Sequence, residues 1–320
     1  MERSNKSGMG QGLSISANGP LPARRLAGAP ISWGVCEVPG WGHMLPPDRV
    51  LAEMASLGLS ATELGPIGYL PLEPTRVREL LDRHGLQVVA GFVPLVLHER
   101  SLEDVRVADQ VAALLAELDA EVLVAAAVTD ADWSPRVALD DGAWRRLSDH
   151  LAEIAELASG YGLTLAVHPH AGTLLETHED IERILALSEV PFCLDTGHCA
   201  IGGADAVDLV RQHGRRIVHV HLKDVDLRLA ERVRSGALSL VEGTRRGLFR
   251  PLGGGDAEIG EVVGLLDQIG YGRWLVLEQD TTITGEEPPV GRGPVLDVQR
   301  SIDYLANLAP ANTGGGVQKP

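Results

Sequence analysis

Six of the chain's eleven histidines, His98, His168, His170, His198, His219 and His221, stand at or near the ends of short apolar runs, and carboxylates accompany them. Pro191-Phe-Cys-Leu-Asp195 stops on an acid, with His198 three residues further on. Leu163 to Val167 runs into His168-Pro169-His170. Ile217 to Val220, interrupted by His219, closes on His221, Lys223 and Asp224, and Trp274 to Leu277 ends on Glu278 and Asp280. Mixed imidazole and carboxylate donors suit a divalent transition ion such as Mn, Co, Zn or Fe. Asp195, His221 and Glu278 each hold a last or near-last strand position, so all three can converge on one ion. Period-two geometry puts His219 on the same side as His221 but about 6.6 Å deeper, and relates His168 to His170 in the same way, so one member of each pair reaches a shared ion. A lone histidine of this kind is more simply a hydrogen-bonded core residue; four strand ends together point to metal binding.

Buried strands that carry ionisable groups at their carboxyl ends describe the mouth of a parallel α/β barrel, the face on which such barrels build their sites. The rest of the pattern supplies the elements. Strands are predicted at 30–35, 60–64, 87–95, 121–128, 163–167, 192–195, 216–221 and 273–278. Helices between them are marked by Pro46-Pro47-Asp48, by Ser101 with Glu103 and Asp104 in the first turn, and by Thr177 with Asp180 in capping-box style. Eight strand–helix pairs make a (β/α)8 barrel, which commonly takes about 250 residues. The expected organisation is a disordered leader over 1–28, one barrel domain over 29–309 and a disordered tail from 310. Residues 225–258 interrupt the rhythm after strand seven, carrying Arg228, Arg232, Arg234, Arg245, Arg246 and Arg250 and ending in Gly253-Gly254-Gly255. Long insertions in compact domains are usually functional or disordered. Helical spacing at Leu227, Ala230 and Val233 favours a lid.

A net charge of −16, from 44 acidic against 28 basic residues, argues against a nucleic-acid surface. A small-molecule partner fits it better. Three cysteines, Cys36, Cys193 and Cys199, give no disulfide framework and suggest a reducing, cytoplasmic compartment. No apolar run approaches the ~20 residues of a membrane span, and the first residues lack a signal peptide's apolar stretch. Assembly into a homo-oligomer is compatible with all of this.

The strand ends Leu-Ala-Val-His168-Pro-His-Ala-Gly172, Leu-Asp195-Thr-Gly-His198, His-Val-His221-Leu-Lys-Asp224 and Leu-Val-Leu-Glu278 resemble those of the sugar phosphate isomerase/epimerase superfamily of xylose-isomerase-like TIM barrels. The opening Ile-Ser-Trp33-Gly-Val-Cys36-Glu-Val-Pro-Gly-Trp41-Gly-His43, with Ala-Thr-Glu63-Leu-Gly-Pro66, resembles the inosose dehydratase subgroup of myo-inositol catabolism. The resemblance implies one divalent ion, Mn or Co first, with Zn, Fe or Mg as alternatives, bound by Glu, Asp, His and Glu. Asp195, His221 and Glu278 match the last three; the first position holds His168, with His170 as the alternative ligand. Epimerases of this superfamily are thought to use two metal-bound carboxylates on opposite faces of the substrate. A histidine in one place spoils that symmetry and favours a lyase.

The implied reaction is dehydration of 2-keto-myo-inositol, or a related cyclic polyol ketone, to a diketone. Glu278 is the expected base and His198 the acid for the departing hydroxyl, with Lys223 aiding the oxyanion. Glu63, His170 and Arg246 are candidate substrate contacts. Trp33 and Trp41 either stack on the ring's C–H face or pack in the protein. The cysteines are expected to pack rather than react, and Glu37, Asp224 and Asp280 to orient ligands as readily as to take part. The alternatives are a sugar or ketose isomerase/epimerase and a non-catalytic polyol-binding barrel.

Overall fold

A computed structural model describes residues 25–99 and 101–308. Eight parallel strands close into a barrel: β1 (Leu26–Gly28), β2 (Ala61–Glu63), β3 (Gln87–Leu95), β4 (Val122–Ala127), β5 (Thr164–Val167), β6 (Phe192–Asp195), β7 (Ile217–Leu222) and β10 (Leu275–Leu277). Each is paired with its neighbours in chain order, and β10 closes on β1. The helices that cover the barrel begin where the sequence punctuates them. Ser101 caps α3 (Leu102–Glu117), Asp140 caps α4 (Asp141–Gly160), and Thr177 with Asp180 forms a full capping box on α5 (His178–Leu187).

Alternation along the strands sorts side chains into two layers. Leu123, Ala125, Leu165, Val167, Leu194, Leu275 and Leu277 face the helices in the large core. Ala27, Ala61, Val122, Val124, Ala166, Cys193 and Val276 form a second, smaller-residue cluster. Stepping two residues along the same strands from Ala61, Ala166, Cys193 and Val276 leads to Glu63, His168, Asp195 and Glu278. The inner layer thus turns from small and apolar to ionisable as the strands reach their carboxyl ends.

Three departures from the sequence reading have local causes. The first strand is Leu26–Gly28, inside the stretch assigned to the leader, and the predicted strand at 30–35 is instead a 3-10 helix over Pro30–Trp33. Pro30 has no N–H to give a ladder and a φ suited to a helical first turn. The earlier part of the leader and the tail from 310 lie outside the described residues. A seven-residue helix, α6 (Thr196–Gly202), precedes the expected α7 (Ala206–His213); the Asp195 side chain caps it.

Residues 225–258 are folded. A short antiparallel pair, β8 (Asp224–Val225) with β9 (Phe249–Arg250), brackets α8 (Leu227–Arg234) and α9 (Leu240–Arg245). Val225, Ala230, Leu248 and Phe249 pack on Ala171, in the loop after β5, and on Ile201 of α6. Asp224 anchors the glycine run: its carboxylate accepts from Gly253 N (2.9 Å), Gly255 N (3.0 Å) and Ala257 N (3.0 Å). A Cβ on Gly255 would lie 2.4 Å from Asp224 Oδ1, so only glycine fits there. This is the work of Asp224, away from the reacting groups. No described helix is long and apolar enough to cross a membrane.

Candidate functional site

Strand register brings the predicted ligands together. Asp195 of β6 pairs with His221 of β7, and Leu222 pairs with Leu277 of β10, so Glu278 follows one step beyond, its N–H donating to Leu222 O (3.1 Å). His221 Nδ1 lies 3.4 Å from Asp195 Oδ2 and 2.7 Å from Glu278 Oε2. These three atoms are buried, yet none is in a hydrogen bond. Buried polar atoms are rarely left so. Two carboxylate oxygens and an imidazole nitrogen converging on one point are the donor set of a divalent cation. His168 Nε2 is 3.8 Å from Asp195 Oδ2, at the edge of this group. His170 lies farther round, its ring 3.7 Å from that of His198.

The remaining groups orient that trio. Glu63 Oε1 faces both His221 Nε2 (3.0 Å) and His219 Nε2 (2.7 Å), which fixes the His221 ring and leaves Nδ1 toward Asp195 and Glu278. Asp195 does two jobs: Oδ1 accepts from His198 N (2.7 Å) at the start of α6, and Oδ2 faces the histidines. Burial opposes its charge, but Lys223 and the neighbouring histidines hold its carboxyl well below the usual carboxylate range. Burial likewise works against charge on His221, while Glu278 and Glu63 hold it well above the usual imidazole range. Burial, with the neighbouring cationic groups, holds His168 and His198 well below the usual imidazole range and brings His170 down to about 4.

A cavity of about 240 Å³ opens above the trio. Glu63, His168, His170, His221, Glu278 and Asp280 form its polar floor, and Trp41, Phe92 and Trp133 stand in its walls. Leu240 and Val241 of α9 face it from the insertion. The guanidinium of Arg245 donates to Gly40 O, tying α9 to the loop that carries Trp41. A larger recess, about 420 Å³, lies between α6, α7 and α8 and contains no histidine.

Several sequence candidates sit elsewhere. Trp33 has no exposed surface and its Nε1–H donates to Glu53 Oε2 (2.8 Å), so it is a core residue away from the cavity. Trp41 does reach the cavity, held by a hydrogen bond from Nε1 to Thr281 O (2.8 Å). Arg246 points outward and bonds Glu242 Oε1 (2.7 Å); its neighbour Arg245 makes the contact across the cavity mouth. His198 is buried behind His170, one ring nitrogen accepting from Ala171 N (3.2 Å) and the other 3.0 Å from Lys223 Nζ. Lys223 is fully buried behind Glu278 and Asp280. Neither His198 nor Lys223 lines the cavity; both lie one layer behind it. Asp280 does line it, and burial pushes its carboxyl up to about 6 against the pull of Lys223, with Glu278 adding to the rise. Cys36 also lines the cavity, but burial pushes its thiol up to about 12, consistent with packing. His98 belongs to none of the donor groups among the described residues.

Phe92 and Trp133 were absent from the sequence reading. Trp133 sits in a left-handed conformation (φ 57°) inside a turn closed by Asp130 Oδ1, which accepts from Asp132 N and Ser134 N (both 3.0 Å). Its ring stacks on Phe92 at 6.3 Å and meets His170 edge-on at 5.8 Å. The only advance signal was an Asp-x-Asp-Trp-Ser-Pro turn after strand four.

With this geometry in place, comparison with known proteins is decisive for the family: residues 51–308 match the xylose isomerase-like TIM barrel family. The chain belongs to that family. Among its curated members, inosose dehydratase of Geobacillus kaustophilus (strain HTA426) is 30% identical over 298 residues, covering 89% of this chain and 94% of that one. Rhizopine catabolism protein MocC of Rhizobium meliloti is 31% identical over 301 residues, covering 91% and 90%. Among solved structures of the same barrel fold, zinc-bound IolI superimposes with a TM-score of 0.64 at 14% identity, covering 89% of this chain and 97% of that one. An L-ribulose 3-epimerase superimposes with 0.63 at 19% identity, covering 88% and 93%.

Proposed function

We propose that this protein is an inosose dehydratase, a carbon–oxygen lyase that removes water from 2-keto-myo-inositol or a closely related cyclic polyol ketone. The observation that carries the reading is the convergence of Asp195 Oδ2, His221 Nδ1 and Glu278 Oε2, all buried, beneath a ring-sized cavity. The names of the similar curated proteins support the substrate class. Asp195, His221 and Glu278, with His168 beside them, would hold a divalent ion, which would supply Lewis acidity at the substrate carbonyl. Its donor set suits Mn or Co.

The chain's own residues do the rest. Glu278 takes the proton from the carbon next to the carbonyl. Asp280, the cavity-facing carboxyl beside it, replaces His198 in the acid role and gives a proton to the β-hydroxyl, which leaves as water; the enol so formed tautomerises to the diketone. Trp41, Phe92 and Trp133 take the C–H face of the ring, and Glu63 positions His221. The 225–258 insertion acts as a lid, with Leu240 and Val241 excluding water. Three buried or half-buried free thiols support a cytoplasmic setting.

Metal-reconstituted protein incubated with 2-keto-myo-inositol is expected to release an ultraviolet-absorbing dione, and Asp195→Ala to release none. Interconversion of ketoses without dione formation assigns the site to an epimerase instead; binding without turnover assigns it to a polyol-binding protein.

A further inference from the structure

Lys223, the one lysine among the described residues, lies directly behind the floor, and neither the ligand set nor the cavity accounts for it. Its Nζ lies 2.8 Å from Asp280 Oδ1, 3.1 Å from Glu278 Oε1 and 3.3 Å from Asp195 Oδ2. The same nitrogen stands 5.3 Å over the Phe249 ring, contributed by the insertion. Its seat is shaped for it. A Cβ on Gly197 would come within 2.7–2.9 Å of the Lys223 stem, so the glycine of Asp-Thr-Gly-His leaves the channel through which that stem runs. Thr196 Oγ1 accepts from Lys223 N (2.9 Å) and donates to Lys223 O (2.8 Å), which fixes the backbone at that point.

Three carboxylates crowded in a dry interior repel one another, and taking each out of water is costly unless a cation accompanies it. A lysine that touches all three, two of them proposed metal ligands, is placed to meet that cost before any ion arrives. We propose that Lys223 is the resident counter-cation of the metal site, holding Asp195, Glu278 and Asp280 together in the ion-free protein so that the ligand set folds ready-made. The inference rests on the metal-binding reading above. It carries a consequence that a merely packed lysine would not. The ammonium and a divalent ion share the same carboxylates and repel each other, so Lys223 weakens ion binding while it stabilises the empty site.

The test is Mn²⁺ binding by calorimetry and thermal unfolding with and without Mn²⁺, using chelator-stripped full-length protein and Lys223→Met, which keeps the stem and removes the charge. Lys223→Met is expected to unfold at lower temperature without ion, to gain more from Mn²⁺ than the native protein, and to bind it about tenfold more tightly or better. A variant that folds only with Mn²⁺ present is the extreme of the same result. Equal or weaker binding, with no larger rise in unfolding temperature, overturns the proposal. Should Lys223→Met fail to fold at all, Asp280→Asn is compared with Asp280→Asn/Lys223→Met, in which one carboxylate has gone with the ammonium. Tighter Mn²⁺ binding by the double variant supports the role, and equal or weaker binding sinks it. If the native protein itself binds no divalent ion, the metal reading falls and this one with it; binding by the native protein without the expected gain removes only the role of Lys223.

Discussion

The floor of the cavity and its walls are built by opposite means. The floor and the ligand set beneath it sit at the ends of hydrogen-bonded strands: Asp195 opposite His221, Glu278 one step past a paired Leu277. Their positions follow from register, and a slip of one residue would send each side chain to the helix layer. The walls come from loops. Trp133 depends on one aspartate-closed turn, Trp41 on a hydrogen bond to Thr281 O, and Leu240 and Val241 on an insertion joined to the Trp41 loop through Arg245. Rigid strands therefore carry the groups that must meet a reacting atom within tenths of an ångström, and loops carry those that set what fits. This division is the general habit of barrels with sites at the carboxyl ends of their strands.

If the division holds, damage to the floor strikes turnover and damage to the walls strikes substrate capture. The largest effect is expected at Glu278. Glu278→Gln keeps the side chain's shape, removes the base and is expected to lower kcat by about 10²–10⁴-fold with a smaller change in KM. Steady-state kinetics on the Mn²⁺-loaded variant measures the split. A fall confined to KM would place Glu278 among the groups that only hold the ring.

Trp133→Ala should show the reverse. Removing a half-buried ring that stacks on Phe92 forfeits aromatic contact with the substrate of about 0.5–1.5 kcal/mol, which corresponds to a rise in KM of about 2–12-fold. Unchanged kcat and an unchanged unfolding temperature accompany it, because the turn is held by the Asp130 carboxylate and not by the ring. A kcat loss as large as that of Glu278→Gln would erase the distinction between floor and wall.

The same division explains what could be read without coordinates. Strands β3 and β6 match their predicted bounds at 87–95 and 192–195, and Asp195, His221 and Glu278 lie close together at their strand ends, because period-two patterning is a local property of a strand. The first strand was misplaced because Leu26–Gly28 is three residues long, too short for a pattern, and Pro30 opens a helical turn beside a run that is apolar enough to pass for a strand. Helix α6 is likewise short, and its marker, Asp195 as cap, was already spoken for as a ligand. Trp133 carries no periodic signal at all; its place follows from a left-handed φ that the sequence marks only by flanking aspartates. His198 and Lys223 were assigned to substrate because strand ends give direction but not depth, and both lie one layer behind the cavity.

The two tryptophans of the opening segment give the smallest expected change in activity. Trp33 and Trp41 are eight positions apart, and nothing in composition distinguishes them, yet the 3-10 turn sends the first into the core and leaves the second at the cavity. Trp33 donates to Glu53, a buried carboxylate that also receives Arg49 Nε (3.2 Å) and Gly291 N (3.0 Å), so it belongs to the joint between α1 (Pro47–Ser56) and the loop before α11 (Pro294–Asn307). Trp33→Phe removes one of these three donors and is expected to destabilise the protein by about 1–3 kcal/mol, the usual cost of stranding a buried polar group. The other two donors both sit on Glu53 Oε1, so Oε2 is left without a partner. Chemical denaturation measures the loss, while kcat and KM at a temperature well below unfolding stay at native values. A kinetic effect from Trp33→Phe with stability intact would mean that the aromatic wall extends into the core, and that loop and strand contributions are not separable in this barrel.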